Sequence, residues 1–179
     1  MDFDLYKALN EYKPQDKNEK ESLNKIIDFL NTNSNCFSRT NKSGHITGSA
    51  LVIDGMGNVL LNHHKMLDKW LQFGGHSDED PNTLNVAKRE VFEESGISDI
   101  DDLGGKIFDV DVHLIPENNA KNEPVHYHYD IRFLFIAKNK EFKISDESKC
   151  IKWLSYDEAK LLVSEPSMIR MIDKAVALF

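Results

Sequence analysis

The sequence predicts an α/β sandwich with a mixed β-sheet, preceded by a helical extension. Two observations predict this class. Short strand-like runs recur from residue 45 onward, while other segments repeat their apolar residues at spacings of three and four, as helices do. Strands and helices mixed in this way along one chain indicate a single sheet covered by helices.

The first forty residues differ from the rest. Their apolar residues recur at helical spacing over a predicted helix of residues 17–31: Leu23, Ile26, Ile27 and Leu30. Residues 31–35 read Asn-Thr-Asn-Ser-Asn, and such short polar side chains compete with the backbone for hydrogen bonds, which favours a loop. We interpret residues 1–40 as a helical extension packed on a main domain of residues 45–179. A substrate lid or the arm of a homodimer is the alternative.

The main domain contains both kinds of element. Six segments have strand character: 46–53, 58–61, 70–73, 107–115, 126–137 and 150–154. The first two flank the sequence Asp-Gly-Met-Gly at residues 54–57, which predicts a hairpin turn. Helices are predicted over residues 81–95, 156–163 and 166–178, and Gly96 is a typical stop signal for the first of them.

Length and charge limit the partners. The chain has 179 residues, and its 22 Lys and Arg against 30 Asp and Glu give a net charge of −8. This length suits one domain with an extension. The negative charge repels nucleic acid, so no nucleic-acid partner is expected, and an anionic substrate would need a metal ion to mediate its binding. The longest apolar run, residues 133–137, is far shorter than the roughly 20 residues of a membrane helix, so no membrane partner is expected.

The cellular location follows from the cysteines and the N-terminus. Cys36 and Cys150 cannot form a disulfide framework, and they fit a reducing compartment. The first residues lack the basic and apolar regions of a signal peptide. We therefore expect a cytoplasmic protein.

The predicted helix of residues 81–95 carries the most informative pattern. Glu90, Glu93 and Glu94 are spaced i, i+3 and i+4, so they share one helical face. A separate apolar stripe can be buried: Leu84, Ala87 and Val91. Like charges this close raise one another's pKa unless a positive charge lies among them, and a divalent cation with oxygen ligands supplies that charge. A solvated acidic face is the alternative, which the glycine pair upstream and Gly96 downstream make less attractive.

The segment of residues 75–97 resembles the Nudix box, Gly-x5-Glu-x7-Arg-Glu-aliphatic-x-Glu-Glu-x-Gly-aliphatic. The positions that match in register are Gly75, Arg89, Glu90, Val91, Glu93, Glu94, Gly96 and Ile97. Pro81 stands where the early glutamate belongs, and we predict that Asp80 caps the helix with Pro81 in its first turn. The resemblance covers residues 45–179 and implies a Nudix-type α/β/α sandwich with a mixed sheet.

The resemblance also implies a reaction. Nudix enzymes hydrolyse a nucleoside diphosphate linked to another moiety, by water attack on a phosphorus. It implies Mg²⁺ or Mn²⁺ as cofactor and a small nucleotide-type substrate. The implied metal ligands are the Gly75 carbonyl, Glu90, Glu93 and Glu94. For catalysis it implies the box glutamates Glu93 and Glu94. The i, i+4 spacing of Arg89 and Glu93 predicts that Arg89 orients this carboxylate in a supporting role. Glu147, in a later loop, is a candidate for the base or a metal ligand, against the alternative of an ordinary surface residue.

Histidines are the remaining candidates for the site. His126 and His128 alternate on one predicted strand and share a face, and His76 directly follows the glycine pair. His113 shares a face with Asp109 and Asp111 on another strand. We predict that His76, His113, His126 and His128 bind substrate. A second metal site formed by imidazoles, or no special role, is the alternative.

Two other functions compete with hydrolysis. Isopentenyl diphosphate isomerase, a Nudix relative, has a Cys-Gly-His segment that resembles Gly74-Gly75-His76, but glycine replaces its catalytic cysteine here. A Nudix-fold sensor that binds a nucleotide without cleaving it typically loses box glutamates, whereas this chain keeps all three. A metal-dependent diphosphate hydrolase is therefore the predicted function.

Overall fold

The computed structural model describes residues 3–118 and 123–178. The helices are α1 (Leu5–Glu11), α2 (Lys17–Thr32), α3 (Thr83–Ser95), α4 (Tyr156–Leu162) and α5 (Pro166–Val176). The strands are β1 (Gly44–Ile53), β2 (Asn58–His64), β3 (Lys69–Leu71), β4 (Phe73–His76), β5 (Ile100–Asp101), β6 (Asp109–Ile115), β7 (His126–Ala137) and β8 (Ser148–Ser155). The helix predicted at residues 17–31 and the strand predicted at residues 126–137 are confirmed.

The strands form one mixed sheet. Its central path runs β3-β2-β1-β7-β5, and β4, β6 and β8 pair with β1, β7 and β2 respectively. β1 and β7 are parallel, while the other pairs are antiparallel. The parallel pair brings the start of β1 beside the start of β7, although the two segments are far apart in the sequence.

Strand β1 separates two helical layers, because its alternate side chains point to opposite faces of the sheet. Ile46, Ala50 and Val52 lie in a buried cluster with apolar residues of α1, α2 and α3. Leu51 and Ile53 lie in a second buried cluster with residues of α4 and α5. The predicted α/β/α sandwich with a mixed sheet is thus confirmed.

The N-terminal helices pack on the same face of the sheet as α3. Phe29 of α2 stacks on Tyr129 of β7, with ring centroids 3.9 Å apart. The buried carboxylate of Glu19 in α2 binds the Lys174 ammonium of α5, which also lies 2.9 Å from a carboxylate oxygen of Asp109. These helices therefore share an apolar core and a buried ion-pair network with the sheet.

The sequence does not predict α1 and β5, and it predicts one strand at residues 70–73 where the structure has two. α1 buries only two apolar side chains, and β5 has two residues, so neither shows a clear period. The segment of residues 70–73 is divided between β3, which pairs with β2, and β4, which pairs with β1. Local pattern cannot reveal that neighbouring residues pair with different strands.

The start of α3 also differs from the prediction. Its N-cap is Asn82, whose side-chain oxygen accepts a hydrogen bond of 3.0 Å from the Asn85 backbone. Asp80 instead accepts a hydrogen bond from the Asn82 backbone at 2.8 Å, so Pro81 lies in the preceding turn and outside the helix. Asp and Asn cap helices about equally well, which explains why the wrong one of two close candidates was predicted. The stop at Gly96 is confirmed by its left-handed φ of 73°.

Within the described part of the chain, none of the helices combines the length and apolar character that crossing a membrane requires.

Candidate active site

Helix α3 brings two of its glutamates against strand β4. Glu94 is buried, with 7% of its surface exposed, and Glu90 is half-buried, whereas Glu93 is exposed. A Cβ atom at Gly75 would lie 2.6 Å from the carboxyl carbon of Glu90, so a side chain there would push the Glu90 carboxylate away from the β4 backbone. The first glycine of the box therefore lets the β4 backbone pass directly beside the carboxylates.

Burial disfavours the ionised form of these two carboxyl groups. It raises the pKa of Glu94 to about 8, and the charges of Glu90 and Glu147 add to the effect. Burial likewise raises the pKa of Glu90 to about 7, with Glu93 and Glu147 acting in the same direction and Arg89 opposing them. The ionised form of each carboxyl is therefore disfavoured near neutral pH, and a metal cation beside it would reverse that effect.

Glu147 reaches the site from a different segment, the exposed loop before β8. Its charge raises the pKa of both Glu90 and Glu94, so its carboxylate lies within electrostatic range of the pair. The backbone carbonyl of Glu147 accepts a hydrogen bond of 2.8 Å from the Lys65 backbone, and this bond ties the loop to the turn after β2. Glu147 therefore acts electrostatically on the box glutamates, and its role as base or metal ligand stays a prediction.

Arg89 contacts different partners from those predicted. Its Nη2 donates a 2.7 Å hydrogen bond to the backbone carbonyl of His76 and lies 2.9 Å from Oε1 of Glu90. The predicted pairing of Arg89 with Glu93 is replaced by these contacts. Helical spacing places Glu93 within reach of Arg89, but the guanidinium instead donates its hydrogen bond to the His76 carbonyl at the end of β4. Arg89 thus connects the start of the box to Glu90.

The donors at this site fit a hard divalent cation. They are carboxylate oxygens, with the backbone of Gly75 adjacent, and oxygen ligands suit Mg²⁺ and Mn²⁺. Oε2 of Glu94 is buried and has no hydrogen-bond partner among the described residues. An unpaired buried acceptor costs about 1–3 kcal/mol, and a bound cation would remove that cost. The Asn62 side chain and the Gly74 backbone also favour the ionised form of Glu94, although no local sequence pattern marks Asn62 as part of the site.

The histidines gather on the opposite face of the sheet. The register pairs His45 with His128 and Thr47 with His76, so the strand ends meet there. We name His45, His76, His126 and His128 the histidine cluster. The ring centroid of His45 lies 4.8 Å from the ring centroids of both His76 and His128. His45 was missed because it stands alone in its segment, and only the parallel pairing with β7 brings it to the others.

The predicted substrate-binding histidines are thus placed unequally. His76, His126 and His128 lie within the cluster, where burial lowers the pKa of His76 and lowers the pKa of His128 to about 2. His113 lies beside it, its ring centroid 5.6 Å from that of His128, and its Nδ1 is 3.1 Å from a carboxylate oxygen of Asp111.

The same face continues as a buried polar row. Asp130 accepts hydrogen bonds from Thr47 and Ser49 at 2.9 and 2.8 Å, and it pairs with Arg132 at 2.8 Å. Arg132 is 3% exposed and also contacts Asp111 at 3.0 Å. Helix α5 packs on this row, since Arg170 binds Asp109 at 2.8 Å and the Ser167 hydroxyl lies 3.4 Å from Asp111, so the buried polar groups join the sheet to that helix.

Comparison with known proteins agrees with this architecture. The NUDIX domain family model matches residues 45–175. A curated protein of Lactococcus lactis subsp. cremoris (strain MG1363), named "Probable DHNTP pyrophosphohydrolase", is 30% identical over 147 residues, which are 82% of this chain and 86% of the relative.

Solved structures share the fold. A NUDIX-family hydrolase of Clostridium perfringens superposes with a TM-score of 0.55 at 24% identity, covering 75% of this chain and 98% of its own. An Ap4A hydrolase of C. elegans gives a TM-score of 0.58 at 16% identity, covering 74% of this chain and 96% of its own. With the family model spanning most of the chain and the box glutamates assembled on α3, this protein belongs to the Nudix family and is a Nudix hydrolase.

Proposed function

We propose that this chain is a metal-dependent hydrolase that cleaves the diphosphate of a small nucleotide-type substrate by water attack on phosphorus. One observation carries the proposal: Glu90 lies against Gly75, and burial raises the pKa of both Glu90 and Glu94, so a metal cation beside them would favour their ionised forms. A merely structural helix would gain nothing from two such carboxylates.

The proposed cofactor is Mg²⁺, or Mn²⁺ in its place. Gly75, Glu90, Glu93 and Glu94 would hold it, as the motif implies. Such an ion neutralises charge on the diphosphate and lowers the pKa of a bound water. This also accounts for an anionic substrate binding to a chain with a net charge of −8.

The residues around the ion have distinct proposed roles. Glu147 accepts the proton of the attacking water, because its carboxylate is near the pair yet lies on an exposed loop. Glu93 is the alternative base, since it is exposed on the same helix. Arg89 is a positioning residue, because it connects the His76 carbonyl to Glu90 and so fixes the loop against the helix.

The substrate side of the proposal rests on the polar face of the sheet. The predicted substrate-binding histidines lie there: His76, His113, His126 and His128. The relative named a DHNTP pyrophosphohydrolase suggests dihydroneopterin triphosphate as the first substrate to test. The E. coli dihydroneopterin triphosphate pyrophosphohydrolase, with a TM-score of 0.53 at 16% identity, has the same fold.

A substrate panel tests the proposal. It contains dihydroneopterin triphosphate, nucleoside triphosphates, ADP-ribose, dinucleoside polyphosphates and nucleoside diphosphate sugars, each with Mg²⁺ or Mn²⁺ and in ¹⁸O-labelled water. We expect at least one compound to be cleaved at its diphosphate, with ¹⁸O in one phosphate product and no turnover in EDTA. Binding of a nucleotide without cleavage of any compound would instead support a sensor.

A further inference from the structure

We propose that His45, His76 and His128 form a second metal site, distinct from the carboxylate site, which binds a transition-metal ion of the Zn²⁺ class. The inference does not depend on the proposed hydrolysis, and it assigns His76 and His128 to a metal ion in place of the direct substrate contact proposed above. It rests on the geometry of the histidine cluster and on one buried side chain with unpaired nitrogens.

The three rings already lie close to the arrangement a metal requires. One nitrogen from each lies within 4.8 Å of the other two. Tetrahedral zinc with Zn–N bonds of about 2.0–2.1 Å places its nitrogen ligands roughly 3.3 Å apart. Each nitrogen would need to move inward by less than about 1 Å, a shift that small rotations of the rings supply.

The second observation is His45 itself. It is 3% exposed, and neither Nδ1 nor Nε2 has a hydrogen-bond partner among the described residues. The backbone of Asn41 weakly favours the protonated ring, but neither ring nitrogen forms a hydrogen bond with it. Buried polar groups are nearly always satisfied, so an imidazole with two unsatisfied nitrogens requires an explanation. A bound ion provides one.

Hydrogen bonds also prepare His128 as a ligand. Nδ1 of His126 lies 2.8 Å from the Pro124 carbonyl oxygen, which can only accept, so this nitrogen carries the proton and donates it. Nε2 of His126 then holds a lone pair, and Nε2 of His128, 3.3 Å away, is the donor to it. A neutral His128 therefore has its lone pair on Nδ1, free to bind a metal. Metal-binding histidines typically have their other nitrogen fixed in this way.

The two sites lie on opposite faces of the sheet. Gly75 faces α3 and Glu90, and because successive residues of a strand alternate, His76 faces the other side. Their ligands also differ in chemistry. Imidazole nitrogens select Zn²⁺ and related ions, whereas carboxylate oxygens suit Mg²⁺. The two ions should therefore bind independently.

Zinc binding in the presence of excess Mg²⁺ tests the proposal, because Mg²⁺ then occupies the carboxylates. Equilibrium dialysis and elemental analysis would compare the wild type with H45A and H76Q. The matched control is H63A, since His63 stacks on Trp70 and contacts Asp68 away from the cluster. A double variant, E90Q with E94Q, removes the carboxylate site only.

We expect one zinc per chain in the wild type, in H63A and in the glutamate double variant, and a loss of at least tenfold in zinc affinity in H45A and H76Q. X-ray absorption of the zinc protein should show imidazole nitrogens at about 2.0–2.1 Å. If H45A fails to fold, H76Q decides, because His76 is only half-buried. Zinc binding that persists in both histidine variants, zinc lost only with the glutamates, or no zinc bound at all would overturn the proposal.

Discussion

Replacing Glu94 by glutamine should make the metal-free protein more stable while making the enzyme inactive. Glu94 is buried, and its pKa is raised from 4.5 to about 8. A carboxyl with a raised folded-state pKa contributes no destabilisation below the unfolded pKa, and it destabilises increasingly as pH rises through the interval between the two values. The neutral amide avoids this cost. It can also donate to Oδ1 of Asn62, which is buried with no hydrogen-bond partner among the described residues.

The size of the effect follows from the two pKa values. At about 1.4 kcal/mol per tenfold change, the interval from 4.5 to about 8 corresponds to a destabilisation on the order of 5 kcal/mol above pH 8. At pH 7 the same reasoning gives on the order of 3 kcal/mol, and near pH 4 almost nothing. Coupling to Glu90 shares the effect between the two residues, so E94Q should recover a large part of it rather than all.

Urea unfolding in EDTA, at about pH 5 and about pH 8.5, measures this directly. The difference in unfolding free energy between E94Q and the wild type should be small at the lower pH and favour E94Q by several kcal/mol at the higher one. Added Mg²⁺ should stabilise the wild type more than E94Q, because binding to the folded state adds stability. E93Q is the matched control: its side chain is exposed on the same helix, so its metal-free stability should stay near wild type.

Activity completes the test. With Mg²⁺ and a cleaved substrate, E94Q should lower kcat by orders of magnitude, because charge stabilisation through the metal is lost. The reasoning is refuted if E94Q is less stable than the wild type at high pH in EDTA, or if it turns over substrate at the wild-type rate.

Four further outcomes are expected. R89A should weaken Mg²⁺ binding and kcat, with partial rescue by R89K, because it breaks the contacts to Glu90 and the His76 carbonyl; unchanged metal affinity would contradict this. E147Q should lower kcat and remove the acidic limb of the pH–rate profile, where the general base gains its proton, while leaving thermal stability near wild type; an unchanged profile would assign the base to Glu93. G75A should reduce metal binding, since its Cβ would lie 2.6 Å from the Glu90 carboxyl carbon, as isothermal titration would show. Isopentenyl diphosphate should yield no dimethylallyl diphosphate by NMR; its appearance without ¹⁸O incorporation elsewhere would reverse the enzyme class.

The parts of the site that the sequence predicts are those within one element. Glu90, Glu93 and Glu94 follow from the period of a single helix, and His126 and His128 from the alternation of a single strand. Other features depend on pairing between distant segments. His45 joins the cluster only through the parallel register of β1 with β7, and the pairing of Arg89 with the His76 carbonyl depends on where the β4 strand ends. Local periodicity carries no information on such contacts.

The three residues at the start of the box show why hydrolysis and not isomerisation suits this chain. A Cβ atom at residue 74 would overlap the side chain of Ser49, so the β1–β4 pairing leaves no room for a proton-transferring cysteine there. Gly75, facing the other way, must also lack a side chain, because the Glu90 carboxylate fills that space. Only at His76 does the strand regain a side chain, and that side chain faces the histidine cluster. An isomerase needs a side chain that transfers a proton at residue 74, and the backbone leaves no room for one there. Hydrolysis of a diphosphate by water instead needs the β4 backbone to lie close to the glutamate carboxylates, which the two glycines permit.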